Sequence, residues 1–289
     1  MSRPLLASRP LTLSLAPLPH ADGSAIFASG PLSVLAALAG PSEVRIRDEL
    51  SDAATLVVLH TPLLAPAALP STALGAALHA ALAAVVRREL LPRTLLQLSV
   101  HALSLPPPPP LSASRPPRHA PPLPPSHPDA RIQAPEVAAC LNAAMLALLD
   151  AGTECTATLA AACVAVLPAA KARSLRAAKH WRAGEEDQAE DEEMEDEESH
   201  ALLLDPTPHE LLYAHSTHVF AFAFSGRDAS AAADDSTGQT AALVFTRSEG
   251  AVDWAEYKEV LALARKAASD VQREMRAAMQ RHIIGESSK

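Results

Sequence analysis

The side chains best suited to chemistry in this 289-residue chain are carboxylates and histidines in one short stretch. Asp205 and Glu210 follow a short apolar run, and two such carboxylates can act as general acid and base or bind magnesium. His209, His215 and His218 lie close by, but their spacings match no familiar zinc-ligand pattern. We interpret these histidines as surface or interface residues, and we predict neither a metal site nor a cofactor.

Several common catalytic and binding motifs are absent. The chain has no Gly-x-Ser-x-Gly, no Gly-x-x-x-x-Gly-Lys and no Gly-x-Gly-x-x-Gly. Its cysteines (Cys140, Cys155 and Cys163) form no Cys-x-x-Cys pair and are odd in number, which argues against a disulfide framework and favours a reducing compartment. No apolar run approaches the roughly 20 residues of a membrane-spanning helix. These features predict a soluble intracellular protein without a membrane partner.

Charge is concentrated in one block of the sequence. The formal net charge is −9, but eleven acidic residues lie between Glu185 and Glu198, and the rest of the chain is nearly neutral. A protein that coats nucleic acid over a broadly basic surface is therefore disfavoured. Because like charges repel and bury no apolar area, we expect 169–200 to be a disordered insertion, basic and then acidic. Its basic part has an alternative interpretation as a nuclear import signal or an RNA contact.

A second insertion is rich in proline. Twelve prolines lie between Pro106 and Pro128, and proline lacks the backbone N–H that regular structure needs. We predict an inserted loop at 105–133, with a ligand for an adaptor domain as the alternative. A further loop is predicted at 226–239.

The remaining residues predict a mixed α/β body of one domain. Short apolar or alternating runs predict strands at 11–15, 25–28, 32–38, 54–60, 94–103, 156–167, 201–204, 217–224 and 240–246. The first four are expected to be consecutive antiparallel strands, with Asp22-Gly23 in the first turn. Phe220, Phe222 and Phe224 are expected to share one face of their strand.

Helical periodicity predicts three helices. The first covers 71–89 with Ser71 as its cap, and the second begins at Pro135 and stops at Gly152. The last begins with a capping-box-like Asp253 and Glu256 and is expected to bury one stripe of side chains. That stripe consists of Trp254, Tyr257, Leu261, Ala264, Ala268, Val271 and Met275.

Several segments together resemble the RNase PH family, and within it the ring subunits of the eukaryotic RNA exosome. An opening Gly-Ser-Ala, a Val-Leu pair and a Gly-Pro-x-Glu-Val keep the spacing of the family pattern, and a Pro-Arg-Thr and a Leu-Asp-Pro-Thr turn follow later. The similarity is most specific over the second helix, 140–152. It covers most of 11–168 and 201–284, whereas the proline-rich and acidic segments lie outside it.

The resemblance implies an α+β RNase PH fold in which mixed and antiparallel sheets sandwich helices, with a long C-terminal helix. It also implies a six-membered ring of related chains that carries cap subunits and passes RNA to a separate hydrolytic nuclease. Such an assembly performs 3′-to-5′ RNA processing and decay in nucleus, nucleolus and cytoplasm.

The resemblance further implies that this chain lacks catalysis of its own. Active relatives bind phosphate through a Thr-Arg pair at the start of the second helix, and the matching positions are Glu136 and Val137. This change removes a bidentate guanidinium and adds a negative charge where an anion would bind. Asp205 matches an aspartate in the metal-binding region of the active relatives, and Glu210 matches a later acidic residue. The second aspartate of that region is missing from this chain.

Two functions follow as alternatives. The favoured one is a structural subunit, with Arg87, Arg88 and Arg93 as candidate RNA-backbone contacts; cations at a solvated helix end are the other interpretation of these arginines. The alternative function is an active phosphorolytic or metal-dependent exoribonuclease that uses Asp205 and Glu210.

Overall fold

A computed structural model describes residues 6, 8–63, 69–106, 134–168, 200–211, 213–225, 240–251 and 253–287. The predicted insertions at 105–133, 169–200 and 226–239 fall almost entirely outside the described residues, so those assignments stay predictions. No described helix combines the length and the apolar character needed to cross a membrane.

The first sheet has five strands in the order β1-β2-β3-β5-β4. Its strands are β1 (Leu11–Leu15), β2 (Gly23–Ser29), β3 (Leu32–Glu43), β4 (Thr55–Thr61) and β5 (Thr94–Ser104). The first three are antiparallel neighbours, as the sequence predicts. The prediction for β4 is wrong, because β4 does not pair with β3; it lies at the sheet edge and runs parallel to β5.

Helix α1 (Leu69–Ala83) explains the position of β4. It connects β4 to β5 and packs against β4, so the three elements form a strand–helix–strand crossover, which joins parallel strands. A side chain at Gly75 would place its Cβ 3.0 Å from the Val58 carbonyl oxygen, so glycine permits this close approach.

Helix α1 ends earlier than predicted, at Ala83 rather than at position 89. The backbone after it bonds to another segment: Thr156 N–H donates to the Val85 carbonyl and Arg87 N–H to the Glu154 carbonyl. The predicted cap is also wrong, since Ser71 is buried within the helix and its hydroxyl donates to the His60 carbonyl. A short 3₁₀ turn, Arg88–Leu90, follows.

Gly23 begins β2 rather than forming the predicted turn. A Cβ at this position would lie 2.4 Å from the Ala147 carbonyl oxygen and 2.5 Å from the Ala151 side chain. Glycine is therefore required by the close approach of a helix. The neighbouring Asp22 accepts a hydrogen bond from Gly40 N–H at 2.7 Å.

That helix is α2 (Ala134–Asp150), which contacts β2 and β3 of the first sheet and two strands of a second sheet, β6 (Thr158–Pro168) and β8 (Ser216–Ser225). Every residue from Pro135 to Leu148 is buried. The helix ends as predicted near Gly152, whose φ is +67°. The Asn142 side chain donates to the carbonyl of Ala161 and accepts from its N–H, so a polar residue is satisfied inside the core.

The second sheet is antiparallel, with strand order β7-β6-β8-β9. Its strands are β6 (Thr158–Pro168), β7 (His200–Leu204), β8 (Ser216–Ser225) and β9 (Thr240–Gly250), and the short helix α3 (Pro208–Leu211) follows β7. Phe220, Phe222 and Phe224 are all buried.

Helix α4 (Trp254–Ser287) begins with the predicted capping box. Asp253 accepts from Ala255 N–H at 3.2 Å, and Glu256 accepts from Asp253 N–H at 3.4 Å. The predicted stripe is buried from Ala264 onward, but Trp254 is 67% exposed, so its inclusion is wrong. Its ring instead stacks on Tyr257 at the helix start.

We predict that Gly23→Ala lowers the free energy of unfolding by about 2 kcal/mol, because the added methyl group overlaps the backbone of α2. Urea unfolding of the full chain measures this difference. Gly285→Ala is the matched control, since a Cβ at Gly285 meets nothing within 4 Å. Equal midpoints for Gly23→Ala and Gly285→Ala would contradict the packing argument.

Candidate functional site

Asp205 lies at the turn where β7 ends, and its carboxylate is bound by two other parts of the chain. The Arg9 Nε–H donates to Asp205 Oδ2 at 2.7 Å, Arg9 Nη2 bonds to Oδ1, and the Ser29 hydroxyl also donates to Oδ2. The backbone adopts φ of +52°, and its N–H donates to the Cys163 carbonyl at 2.9 Å. Asp205 thereby links the N-terminal arm, β2 and β6.

This ion pair is shielded from water, since the Arg9 and Asp205 side chains are only 6% and 16% exposed. A guanidinium that bonds both carboxylate oxygens neutralises the charge that would attract a metal ion. Asp205 in this position stabilises the fold, because its removal would leave the buried Arg9 guanidinium without a counter-charge.

A small cavity adjoins Asp205. Its volume is about 40 Å³, and its walls include Ser29, Asn142, Cys163 and Leu204. Ligand pockets in proteins usually measure about 300–1,000 Å³. The cavity has room for a few water molecules and is too small for a nucleotide.

Glu210 has a different partner and a different role. Its carboxylate accepts from Thr207 N–H at 2.8 Å, and its own N–H donates to the Thr207 hydroxyl at 3.4 Å. This reciprocal pair is a capping box for α3. The two carboxylates therefore do not act as the predicted pair. Asp205 forms an ion pair with Arg9, and Glu210 caps α3.

The histidines of this region do not form a shared site. His218 is fully buried between the Ser216 and Ser248 hydroxyls, at 3.0 and 2.8 Å from its ring nitrogens, so the predicted surface or interface position is wrong for this histidine. Burial lowers the pKa of His218. His215 is exposed, and the His209 side chain is outside what the structure describes. Among the described residues, no three His, Cys, Asp or Glu side chains are grouped to hold a metal ion.

Glu136 and Val137, at the start of α2, are both buried. The helix N-terminus carries partial positive charge, so a carboxylate in its first turn is favourably placed. Glu136 Oε1 lies 3.8 Å from His60 Nε2, and the two side chains are 4% and 0% exposed. A second anion, such as phosphate, would be repelled by this carboxylate.

The Glu136–His60 contact is not an ion pair at neutral pH, although its distance would allow one. Burial, with a smaller contribution from His101, lowers the pKa of His60 to about 4. Burial removes water from the charged imidazolium form and so disfavours it. His60 is therefore a neutral imidazole near pH 7.

The cysteines are unpaired thiols. Burial raises the pKa of Cys140 and Cys163, and it raises the pKa of Cys155 to about 11. A thiol that stays protonated is a poor nucleophile and a poor metal ligand.

Two of the candidate RNA-contacting arginines form ion pairs on the surface. Arg87 lies 3.3 Å from Glu154, and Arg93 lies 3.4 Å from Glu49. The arginine side chains are 45% and 71% exposed, and exposed pairs of this kind are weak. Because α1 ends at Ala83, Arg87 and Arg88 are not in its last turn, which weakens the helix-dipole interpretation.

Sequence reasoning missed Arg9, Ser29 and His60. Of the three, only Arg9 could have been noticed in the sequence, because it is the sole Lys or Arg between positions 4 and 44 and lies in an apolar stretch. Ser29 and His60 gave no such signal, because each becomes significant only through a contact with a distant residue.

Residues 7–154 match the family model described as "3' exoribonuclease family, domain 1", named RNase_PH. The chain is 29% identical over 135 residues to the Saccharomyces cerevisiae protein "Exosome complex component RRP46", a match that covers 47% of this chain and 52% of the relative. The chain thus spans about half the length of the curated relative it matches.

The fold is shared with a solved structure. The crystal structure of Rrp46 from rice (Oryza sativa) superimposes with a TM-score of 0.67 over 96% of this chain and 98% of that chain. Sequence identity in this superposition is 17%, so the comparison bears on the fold alone.

We predict that acidification destabilises the chain partly through His60. Since its folded pKa of about 4 lies below the ordinary value of 6.5, the unfolded chain takes up this proton first as the pH falls. The stabilisation is complete above about pH 6.5 and is lost toward pH 4. Over that interval the wild type should lose up to about 3 kcal/mol more than His60→Asn.

Chemical denaturation at a series of pH values measures this difference. His215→Asn, at an exposed position, is the control and should follow the wild type. If His60→Asn and the wild type lost equal stability between pH 6.5 and 4, the neutral buried imidazole would be ruled out.

Proposed function

The chain belongs to the RNase PH family, and from this premise we propose that it is a non-catalytic structural subunit of an RNA exosome ring. Its partners are other RNase PH-like ring subunits, with which it surrounds a channel for RNA. In this proposal the ring carries cap subunits and delivers RNA to a separate hydrolytic nuclease for 3′-to-5′ processing and decay. The yeast relative, whose name makes it an exosome component, supports this assignment.

One observation carries the proposal of a non-catalytic role: the Asp205 carboxylate is neutralised by a buried Arg9 guanidinium. Phosphorolysis needs a site that holds inorganic phosphate and a metal that stabilises the developing charge. Here Asp205 is bonded to Arg9 and Ser29, and Glu136 places a carboxylate at the helix N-terminus.

The alternative, an exoribonuclease that uses Asp205 and Glu210, has less support. Glu210 caps a four-residue helix and Asp205 holds Arg9, so each carboxylate is engaged in a structural contact. The cavity beside Asp205 is about 40 Å³, far smaller than a nucleotide requires.

RNA contact by Arg87, Arg88 and Arg93 stays part of the proposal. An RNA phosphate can displace an exposed carboxylate from an arginine at little cost, because such pairs contribute at most about 1 kcal/mol. Nuclear, nucleolar and cytoplasmic sites of action, and roles in ribosomal RNA processing and messenger RNA decay, are further elements of the proposed function.

Assembly is the first test. The tagged full chain, purified from its own cells, is expected to elute at several times its 30.3 kDa mass with different RNase PH-like chains identified by mass spectrometry. The control is an unrelated tagged protein of similar size. Isolation as an active homo-oligomer would favour the exoribonuclease instead.

Catalysis is the second test. We predict that the purified chain, incubated with RNA, phosphate and magnesium, releases no nucleoside diphosphates above a no-enzyme control. Asp205→Asn is compared after its folding has been checked by urea unfolding, because the buried Arg9 loses its counter-charge in this variant. Diphosphate release by the wild type that disappears in folded Asp205→Asn would contradict a non-catalytic role.

A further inference from the structure

A pocket of about 420 Å³ lies where the end of α2 meets the C-terminal part of α4. Three segments form its walls: the connection between β1 and β2, the last two residues of α2, and residues 279–283 of α4. We call it the α2–α4 pocket. Its volume is within the range of about 300–1,000 Å³ that is usual for ligand sites, and it shares no lining residue with the small cavity beside Asp205.

Two carboxylates line the α2–α4 pocket. Asp22 belongs to the β1–β2 connection, and Asp150 is the last residue of α2. The third titratable side chain is His282 of α4, and no Lys or Arg is found among the described residues that line the pocket. The lining therefore favours negative charge, since a histidine supplies positive charge only when it is protonated.

Asp150 is an unexpected residue at this end of a helix. The aligned peptide dipoles give a helix C-terminus partial negative charge, so the last turn normally favours Lys, Arg or His. Helix α2 has no basic residue in its last turn and ends on a carboxylate, whose side chain is only 9% exposed. The dipole and the loss of water both disfavour this charge, and a cation beside it would offset both effects.

One oxygen of Asp150 is available to a ligand. Oδ2 accepts a hydrogen bond from Ser24 N–H at 2.8 Å. Among the described residues no hydrogen bond reaches Oδ1, because the His282 Nε2 atom lies 3.7 Å away, beyond hydrogen-bond distance. A carboxylate oxygen in this position can accept a charge-assisted hydrogen bond from a cationic ligand.

Hydrogen bonds hold the β1–β2 connection in place. Leu18 N–H donates to the Ser24 hydroxyl at 3.1 Å, and Asp22 N–H donates to the Leu38 carbonyl at 3.1 Å. The Asp22 carboxylate in turn accepts from Gly40 N–H. A wall that is already ordered loses little conformational freedom when a ligand binds.

Much of the remaining wall is apolar. Leu18 and Ile283 are 38% and 58% exposed, and Leu149 and Met279 are partly buried beside them. A ligand with an alkyl chain would remove this apolar surface from water, which favours binding.

Other classes of ligand fit this lining less well. Calcium takes about six or more oxygen ligands, and among the described residues no three His, Cys, Asp or Glu side chains are grouped to hold a metal ion. Phosphate groups would be repelled by the two carboxylates. An alkylammonium group combines three N–H donors and a compact positive charge with an apolar chain.

We propose that the α2–α4 pocket binds the ammonium group of an aliphatic amine. Asp150 and Asp22 are its anionic partners, and the alkyl chain lies against Leu18, Met279 and Ile283. A free diamine or polyamine can supply this group, and so can the lysine side chain of another protein. The inference does not depend on the ring function proposed above.

The test is a titration of the full chain, carrying carbon-13 in its methionine methyl groups, followed by nuclear magnetic resonance. One arm uses cadaverine, a free diamine, and the other uses acetyl-lysine methylamide, a model of a lysine side chain. The Met279 methyl should shift saturably with at least one amine, whereas the Met145 methyl, buried within α2, should not move. Pentanol, an uncharged analogue of cadaverine, should bind at least about tenfold more weakly.

Variants then test the two carboxylates. Asp150→Asn removes the charge and keeps an oxygen that can accept from Ser24 N–H, so it should fold, and its unfolding midpoint checks this. Its affinity for the amine should fall at least about tenfold. Asp22→Asn, at an exposed position, should also weaken binding. Asp270→Asn is the matched control, because Asp270 is 49% exposed on α4, lies outside the pocket and changes the net charge equally.

Saturable binding of either amine supports the inference, and the arm that binds more tightly identifies the source of the ammonium group. The inference would be overturned if neither amine shifted the Met279 methyl, or if pentanol bound as tightly as cadaverine. Equal losses of affinity in Asp150→Asn and Asp270→Asn would also overturn it, since they would indicate a general attraction between charges. If Asp150→Asn is unstable, the comparison of Asp22→Asn with Asp270→Asn decides in the same way.

Discussion

Enclosure of α2 between two sheets is the constraint on which the rest of the structure depends. A helix buried along its whole length can carry only small or apolar residues, and alanines occupy much of its surface. Its neighbours must also be small, which is why Gly23 has no side chain where β2 crosses the helix. Two of its polar residues, Glu136 and Asn142, lie against buried groups rather than water, because a buried polar group without a partner is costly.

The same enclosure accounts for the character of the candidate site. In the tightly packed interior beside α2, Asp205 bonds to Arg9 and Ser29, and in the turn after β7 Glu210 bonds to Thr207. Each of these contacts ties together segments that are distant in sequence or stabilises a turn. Only a small cavity of about 40 Å³ lies beside Asp205.

The surface of the described residues combines paired charges with a nearly uncharged sheet. Some charges of the described surface are paired, as in Arg87 with Glu154 and Arg93 with Glu49. The first sheet, by contrast, offers an uncharged apolar surface with an open edge.

Local sequence determined the strands of the first hairpins, the Gly152 stop of α2 and the capping box of α4, because these depend on residues a few positions apart. The family pattern, read from the same residues, determined the fold class. Only the tertiary structure decided that β4 pairs with β5, that α1 ends at Ala83, and that Asp205 meets Arg9 across 196 positions. These outcomes result from competition between distant partners for the same backbone or charged group, and no local pattern of residues records which partner prevails.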